Sequence, residues 1–85
     1  MDRKQLHGLL IERVAPRSVR LGLSAKDMTE DLDLVRTGLL DSLGFVDLIT
    51  ELETAVGHQV ELEQAFDRPG ATTVGGVLDL FLDRR

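Results

Sequence analysis

Leu43, Val46, Ile49, Leu52 and Val56 follow one another at steps of three, three, three and four residues. That spacing lines apolar side chains along one face of an α-helix. Phe45 and Leu48 widen the stripe along one edge. Asp47, Thr50, Glu51 and Thr54 supply the polar side, with Glu53 on a flank. Gly57 stands where such a helix can close in a left-handed residue, a conformation glycine adopts at little steric cost. The pattern predicts a helix over Ser42–Val56. An 85-residue chain has room for one modest core, so every other segment has to pack around this helix.

Two further helices are expected. Leu6, Leu9, Leu10 and Val14 recur at helical spacing within Asp2–Ala15. Pro16 is expected to stop that helix, because the residue before a proline is pushed out of the α region. The last helix, Val74–Asp83, is capped by Thr72 or Thr73 and buries Val77, Leu78, Phe81 and Leu82, with Val74 one turn above. Gly75 and Gly76 near its start weaken a helix, so their presence predicts close approach of another backbone. Val60, Leu62, Ala65 and Phe66 predict a brief helix or turn beginning near Glu61, followed by a turn at Asp67-Arg68-Pro69-Gly70. His7 reads as a surface helix residue. His58 lies near a helix C-terminus, which favours an imidazolium electrostatically.

Between Pro16 and Gly38 runs a connection longer than most in compact domains. Ser24 is placed to cap a short turn, with Asp27 three residues on. Leu32 and Val35 are expected to pack down while Asp31 and Asp33 face water. Thr37-Gly38 reads as a turn ahead of two core anchors, Leu39 and Leu40. With no repeat and no convincing strand alternation, these elements make one domain over residues 1–85. Its expected architecture is an all-α four-helix bundle with three longer helices, a short third helix and a long loop between the first two.

Composition removes several functions. There is no cysteine, so disulfides, thiolate chemistry and cysteine metal ligands are excluded. Two distant histidines without cysteine make a poor hydrolase or metal centre, and neither an enzyme nor a metal site is expected. No apolar run approaches the roughly 20 residues that span a bilayer, and the N-terminus lacks the apolar core of a signal peptide. A cytoplasmic monomer without membrane insertion is the expectation. The net charge of −5 is unevenly placed: Asp27 to Asp67 holds eleven acids and one base, Arg36. That distribution repels a phosphate backbone and so opposes nucleic-acid binding. It suits a basic protein partner, although acids also simply keep a small domain soluble.

The start of the central helix carries the chemistry. At a helix N-terminus the first amides are unpaired and the dipole is positive, so a phosphate placed there is stabilised. Ser42 is therefore either an ordinary N-cap, its commoner use, or the bearer of a phosphate ester. Gly38-Leu39-Leu40-Asp41-Ser42-Leu43-Gly44 resembles the prosthetic-group attachment segment of acyl carrier proteins and of the peptidyl and aminoacyl carrier domains. The triplet Asp41-Ser42-Leu43 is the heart of that likeness. The order of helices, the acid-and-aliphatic approach Glu30-Asp31-Leu32-Asp33-Leu34 and the acidic helix after Ser42 extend it over nearly the whole chain.

The resemblance implies that Ser42 carries 4′-phosphopantetheine through a phosphodiester, added by a phosphopantetheinyl transferase. The thiol of the arm then holds acyl or aminoacyl cargo as a thioester. It implies that Asp41 orients the transferase and its cation, that Leu43 belongs to an apolar patch touched by partners, and that Asp47, Glu51 and Glu53 lie on the helix recognised by basic partner surfaces. Those partners would be the transferase, an acyl- or aminoacyl-loading enzyme, and a downstream synthase or transferase. Gly44 and Phe45 depart from the acidic and small residues common in fatty-acid carriers. Those departures weigh against primary fatty-acid synthesis, and the Gly38–Gly44 run resembles more the carriers of polyketide, nonribosomal-peptide or D-alanine-transfer systems. The alternative is a small helical interaction module with no covalent cofactor, in which Ser42 is only the cap.

Overall fold

The structure, a computed structural model, describes residues 1–61, 63 and 69–82. Among these, three α-helices appear: α1 Arg3–Arg20, α2 Ser42–Val56 and α3 Val74–Leu82, with one 3₁₀ turn at Ala25–Asp27. α1 packs against both α2 and α3. The short helix expected from Glu61 to Phe66 lies largely outside the described residues, as do Asp67 and Arg68 of the following turn and Asp83 at the end of the last helix.

α1 starts on a capping box. The Asp2 carboxylate accepts from the Gln5 amide at 2.8 Å, and the Gln5 side chain accepts from the Asp2 amide at 3.0 Å. Leu6, Leu10 and Val14 are fully buried, and Leu9 packs against them half-exposed. The helix does not stop at Pro16: it runs on to Arg20. Pro16 lies on the exposed side, so the carbonyl of Glu12 that loses its partner can turn to water. Val14 and Ser18 are buried on the other side, and the Ser18 hydroxyl donates to the Ala15 carbonyl at 3.1 Å. Packing on that side offsets a proline cost of about 3 kcal/mol.

α2 spans the residues expected, but its buried face is turned from the expected one. Phe45, Leu48, Ile49 and Leu52 are buried, Val46 and Val56 are half-buried, and Leu43 is 71% exposed. The reason is helical geometry. Consecutive steps of three residues each fall short of a full turn, so the stripe walks around the helix. Nine residues make roughly two and a half turns, which puts Leu43 and Leu52 on opposite sides. Gly57 closes the helix at φ 90°, its amide donating to the Glu53 carbonyl at 2.8 Å.

α3 is the most enclosed element. Val74, Gly75, Val77, Leu78, Leu80 and Phe81 are buried, leaving Asp79 as its exposed residue among 74–81. Thr73 is its cap: the hydroxyl accepts from the Gly76 amide at 2.9 Å. The glycine pair meets other backbone, as its cost in a helix implied. A Cβ on Gly76 would lie 2.2 Å from the Gly70 carbonyl oxygen, and one on Gly75 would lie 3.2 Å from the Glu30 carbonyl oxygen. His58 is half-buried with its ring against Phe81, centroids 5.9 Å apart.

The long connection is tied into the bundle at several points. Met28 and Leu34 are fully buried. The His7 ring, half-buried and not merely on the surface, donates to the Met28 carbonyl at 2.7 Å. Asp27 accepts from the Ser24 amide at 2.8 Å, closing the expected turn. Residues 30–34 then pair with the approach to α3. Leu34 N donates to Thr72 O at 2.8 Å, Val74 N to Leu32 O at 2.9 Å and Gly75 N to Glu30 O at 2.9 Å. Arg3 forks from α1 to Glu30 in the connection and Asp79 in α3. The two hydrogen bonds to Glu30 hold that carboxyl below its usual range.

Asp33 is not a solvated acid. One carboxylate oxygen accepts from the amides of Val35 (3.0 Å) and Arg36 (2.9 Å) and from the Thr72 hydroxyl (2.9 Å). Leu34, rather than Leu32 or Val35, is the residue that goes fully inside. Burial works against the Asp33 charge, but the hydrogen bonds from Arg36, Thr72 and Val35 outweigh it and leave the carboxyl below the usual range.

Two outcomes are expected. Gly76→Ala forces a shift of the Gly70 carbonyl and destabilises the fold by about 1–3 kcal/mol, read as a lowered midpoint in urea. Asp33→Asn loses charge-assisted hydrogen bonds, a cost of about 1 kcal/mol at neutral pH. Because the folded carboxyl titrates below the unfolded value of about 3.9, that stability is present above this pH and is lost as pH falls through the folded value. Paired urea melts of wild type and Asp33→Asn should therefore converge in acid.

Candidate attachment site at the start of α2

The turn before α2 is built so that two residues go in and the next three come out. Gly38 sits at φ 81°, the left-handed region, and its amide donates to the Val35 carbonyl at 3.0 Å. Leu39 and Leu40 then enter the core, 4% and 2% exposed, and Leu40 N donates to Leu34 O at 2.8 Å. Asp41, Ser42 and Leu43 are all exposed.

Asp41, not Ser42, caps the helix. Its backbone is extended and its carboxylate accepts from the Gly44 amide at 2.7 Å. Ser42 is the first helical residue and its hydroxyl makes no hydrogen bond to a described residue. The ordinary-cap reading of Ser42 thus loses its physical basis, since the adjacent carboxylate already does that work. Gly44 is buried, and a Cβ there would lie 3.1 Å from the Asp41 carboxylate and 3.5 Å from Leu40. Glycine at this position leaves room for the cap and for Leu40 together.

This arrangement suits a phosphodiester on Ser42. The amides of Ser42 and Leu43 have no partner within the helix by its geometry, and the Gly44 amide is taken by Asp41. The positive end of the dipole favours an anion there by about 0.3–1 kcal/mol. Repulsion from the Asp41 carboxylate opposes this, since neighbouring like charges in water cost about 1 kcal/mol at contact distances. The two effects are of one size, and the hydroxyl stands clear of the bundle for a bulky group and for an enzyme that would attach it.

The acids behind Ser42 divide by use. Asp47 is exposed on α2 with no ion pair among the described residues. Glu51 is exposed and lies 3.6 Å from the Arg13 guanidinium of α1. Glu53 is half-buried, its carboxylate accepting from the Val60 amide at 2.8 Å, which secures the chain leaving α2. The exposed upper part of α2 therefore presents Leu43 and Asp47, with Glu51 partly neutralised. No helix among the described residues is long and apolar enough to cross a membrane.

One feature beside the site was hidden in the sequence. Arg17 and Arg20, at the end of α1, line a cleft with Leu21, Gly38, Leu39 and Asp41. A helix ending at Ala15 would have left these arginines in a loop with no defined place. Only the continuation through Pro16 carries them to the Asp41 wall.

Comparison with known proteins agrees with this geometry. The family described as phosphopantetheine attachment site matches residues 18–80. The chain belongs to the acyl carrier protein family. Among curated proteins, an acyl carrier protein of Saccharopolyspora erythraea is 39% identical over 83 residues, 98% of this chain and 81% of its own length. No solved structure matches. Membership makes the protein a carrier and not an enzyme, with 4′-phosphopantetheine as its expected cofactor.

Proposed function

We propose that Ser42 is the attachment residue and that the protein presents acyl or aminoacyl intermediates, held as thioesters on its arm, to the enzymes of a biosynthetic pathway. The observation that carries this reading is the exposed Ser42 hydroxyl at the first position of α2, relieved of capping by Asp41. When bound, the group supplies a thiol that the protein itself lacks, since the chain has no cysteine. The chain's part is to fix the tether, keep it in solvent and identify itself to partners. Tethering gives cargo a high effective concentration at a docked enzyme.

Partner recognition is proposed to centre on Leu43 and Asp47, beside Asp41 and Ser42. Leu43 is a large apolar side chain left in solvent, and Asp47 a carboxylate left without a local cation. Glu51 and Glu53 contribute less, because Arg13 and the Val60 amide already engage them. The partners implied are a phosphopantetheinyl transferase, a loading enzyme and a downstream synthase or transferase with a basic docking surface. Such contacts speed and orient an encounter without making it tight.

Co-expression with a phosphopantetheinyl transferase should raise the intact mass by one phosphopantetheine group, and Ser42→Ala should abolish the gain. A wild-type chain left unmodified by several broad-specificity transferases would sink the reading. Neutralising Asp47 and Glu51 together should lower transferase kcat/KM about fivefold at low ionic strength, with Asp47→Asn responsible for most of it. Helical circular dichroism should stay unchanged, and turnover equal to wild type would remove these acids from recognition.

A further inference from the structure

We infer that the cleft between the end of α1 and the Gly38–Asp41 turn binds the phosphodiester of the arm, with Arg17 and Arg20 supplying the cations. The inference rests on Ser42 being the attachment residue. The cleft is a cavity of about 320 Å³ lined by Arg17, Arg20, Leu21, Gly38, Leu39 and Asp41. Asp41, on the cleft wall, directly precedes Ser42 in the chain, so a group carried on Ser42 would start next to a lining residue.

The charges are free for this use. Arg3, Arg13 and Arg36 each meet a carboxylate, whereas Arg17 and Arg20 form no ion pair among the described residues. They stand three residues apart in the last turn of α1, and a guanidinium offers paired donors that match phosphate oxygens. The acid on the same wall, Asp41, is committed to the Gly44 amide at 2.7 Å. Two arginines against one such carboxylate leave the cleft positive. A second cavity lined by Arg13, Pro16, Arg17 and Arg20 continues the basic stripe along α1. In it Arg13 is the residue already turned toward Glu51.

The contact is solvent-exposed and therefore weak. An exposed ion pair biases an equilibrium by about fivefold or less. That is the strength a carrier requires, since the arm has to leave the cleft whenever a partner enzyme takes it. Leu21, half in water at 49% exposure, gives the cleft an apolar edge against which the first part of the arm can lie. The acidic face of α2 and the basic end of α1 then have separate tasks: one addresses partner proteins, the other holds the tether between encounters.

The test compares apo and holo protein, wild type and the Arg17→Gln, Arg20→Gln double variant, by amide and phosphorus NMR after intact mass has confirmed modification. In the wild type, adding the arm should shift the amides of Leu21, Gly38 and Leu39 as well as those next to Ser42. In the double variant the shifts at Leu21, Gly38 and Leu39 should fall by about half or more. The phosphorus resonance should move toward that of the same phosphodiester in urea-unfolded holo protein. Raising the ionic strength of wild-type holo protein should produce the same collapse, which keeps the test available if the double variant folds poorly. Modification without any response at Leu21, Gly38 and Leu39, or with an equal response in both proteins, overturns the cleft inference alone. Absence of the mass gain overturns the attachment reading and the inference with it.

Discussion

Burial of Leu39 and Leu40 is the constraint on which the functional end of the molecule depends. Each removes an apolar side chain from water, a gain of about 1.5–3 kcal/mol, and together they fix how the chain approaches α2. Gly38 in the left-handed region makes the turn that lets both enter. Once they are inside, Asp41 lies at the helix start with its carboxylate over the Gly44 amide, and Ser42 and Leu43 have nowhere to go but solvent. The exposure of Ser42 is thus a consequence of core packing. It needs no dedicated device of its own.

The same economy governs the long connection. A chain this small cannot leave Met28, Leu34, Leu39 and Leu40 in water, so the segment is drawn across the bundle and pinned. Backbone pairing of residues 30–34 with the approach to α3 supplies the pins, and Asp33 joins them by accepting from two amides and the Thr72 hydroxyl. Gly75 and Gly76 permit the backbones to come that close. Arg3, His7, Glu30 and Asp79 close the other end around α1. The loop that leads to Ser42 is consequently held along much of its length.

Charge in this structure is sorted by position more than by amount. The central acids include some that are structural, such as Asp33, Asp41 and Glu53, each bonded to backbone amides. They also include some that face outward, chiefly Asp47. A count of acids along the chain does not separate these, because it carries no information on which amides lie within reach. The basic end of α1 is a similar case: Arg17 and Arg20 acquire meaning only beside Gly38 and Asp41.

Local chemistry written in adjacent residues was legible in the sequence: the extent of α2, the Gly57 stop, the Ser24–Asp27 turn, a threonine cap at Thr72 or Thr73, the close approach at Gly75-Gly76, and the Gly38–Gly44 segment that places the chain in its family. These depend on steric preference and short-range hydrogen bonding, which a few residues decide between themselves. The tertiary structure decided which way α2 is turned, because an apolar stripe of threes winds around the helix and only the neighbours select its inward side. It decided that α1 passes through Pro16, because packing at Val14 and Ser18 outweighs a local penalty. It also decided that Asp41 is the cap, and so freed Ser42. The sequence alone singled out Ser42 as the candidate; burial of the two leucines before it determined how that serine is presented.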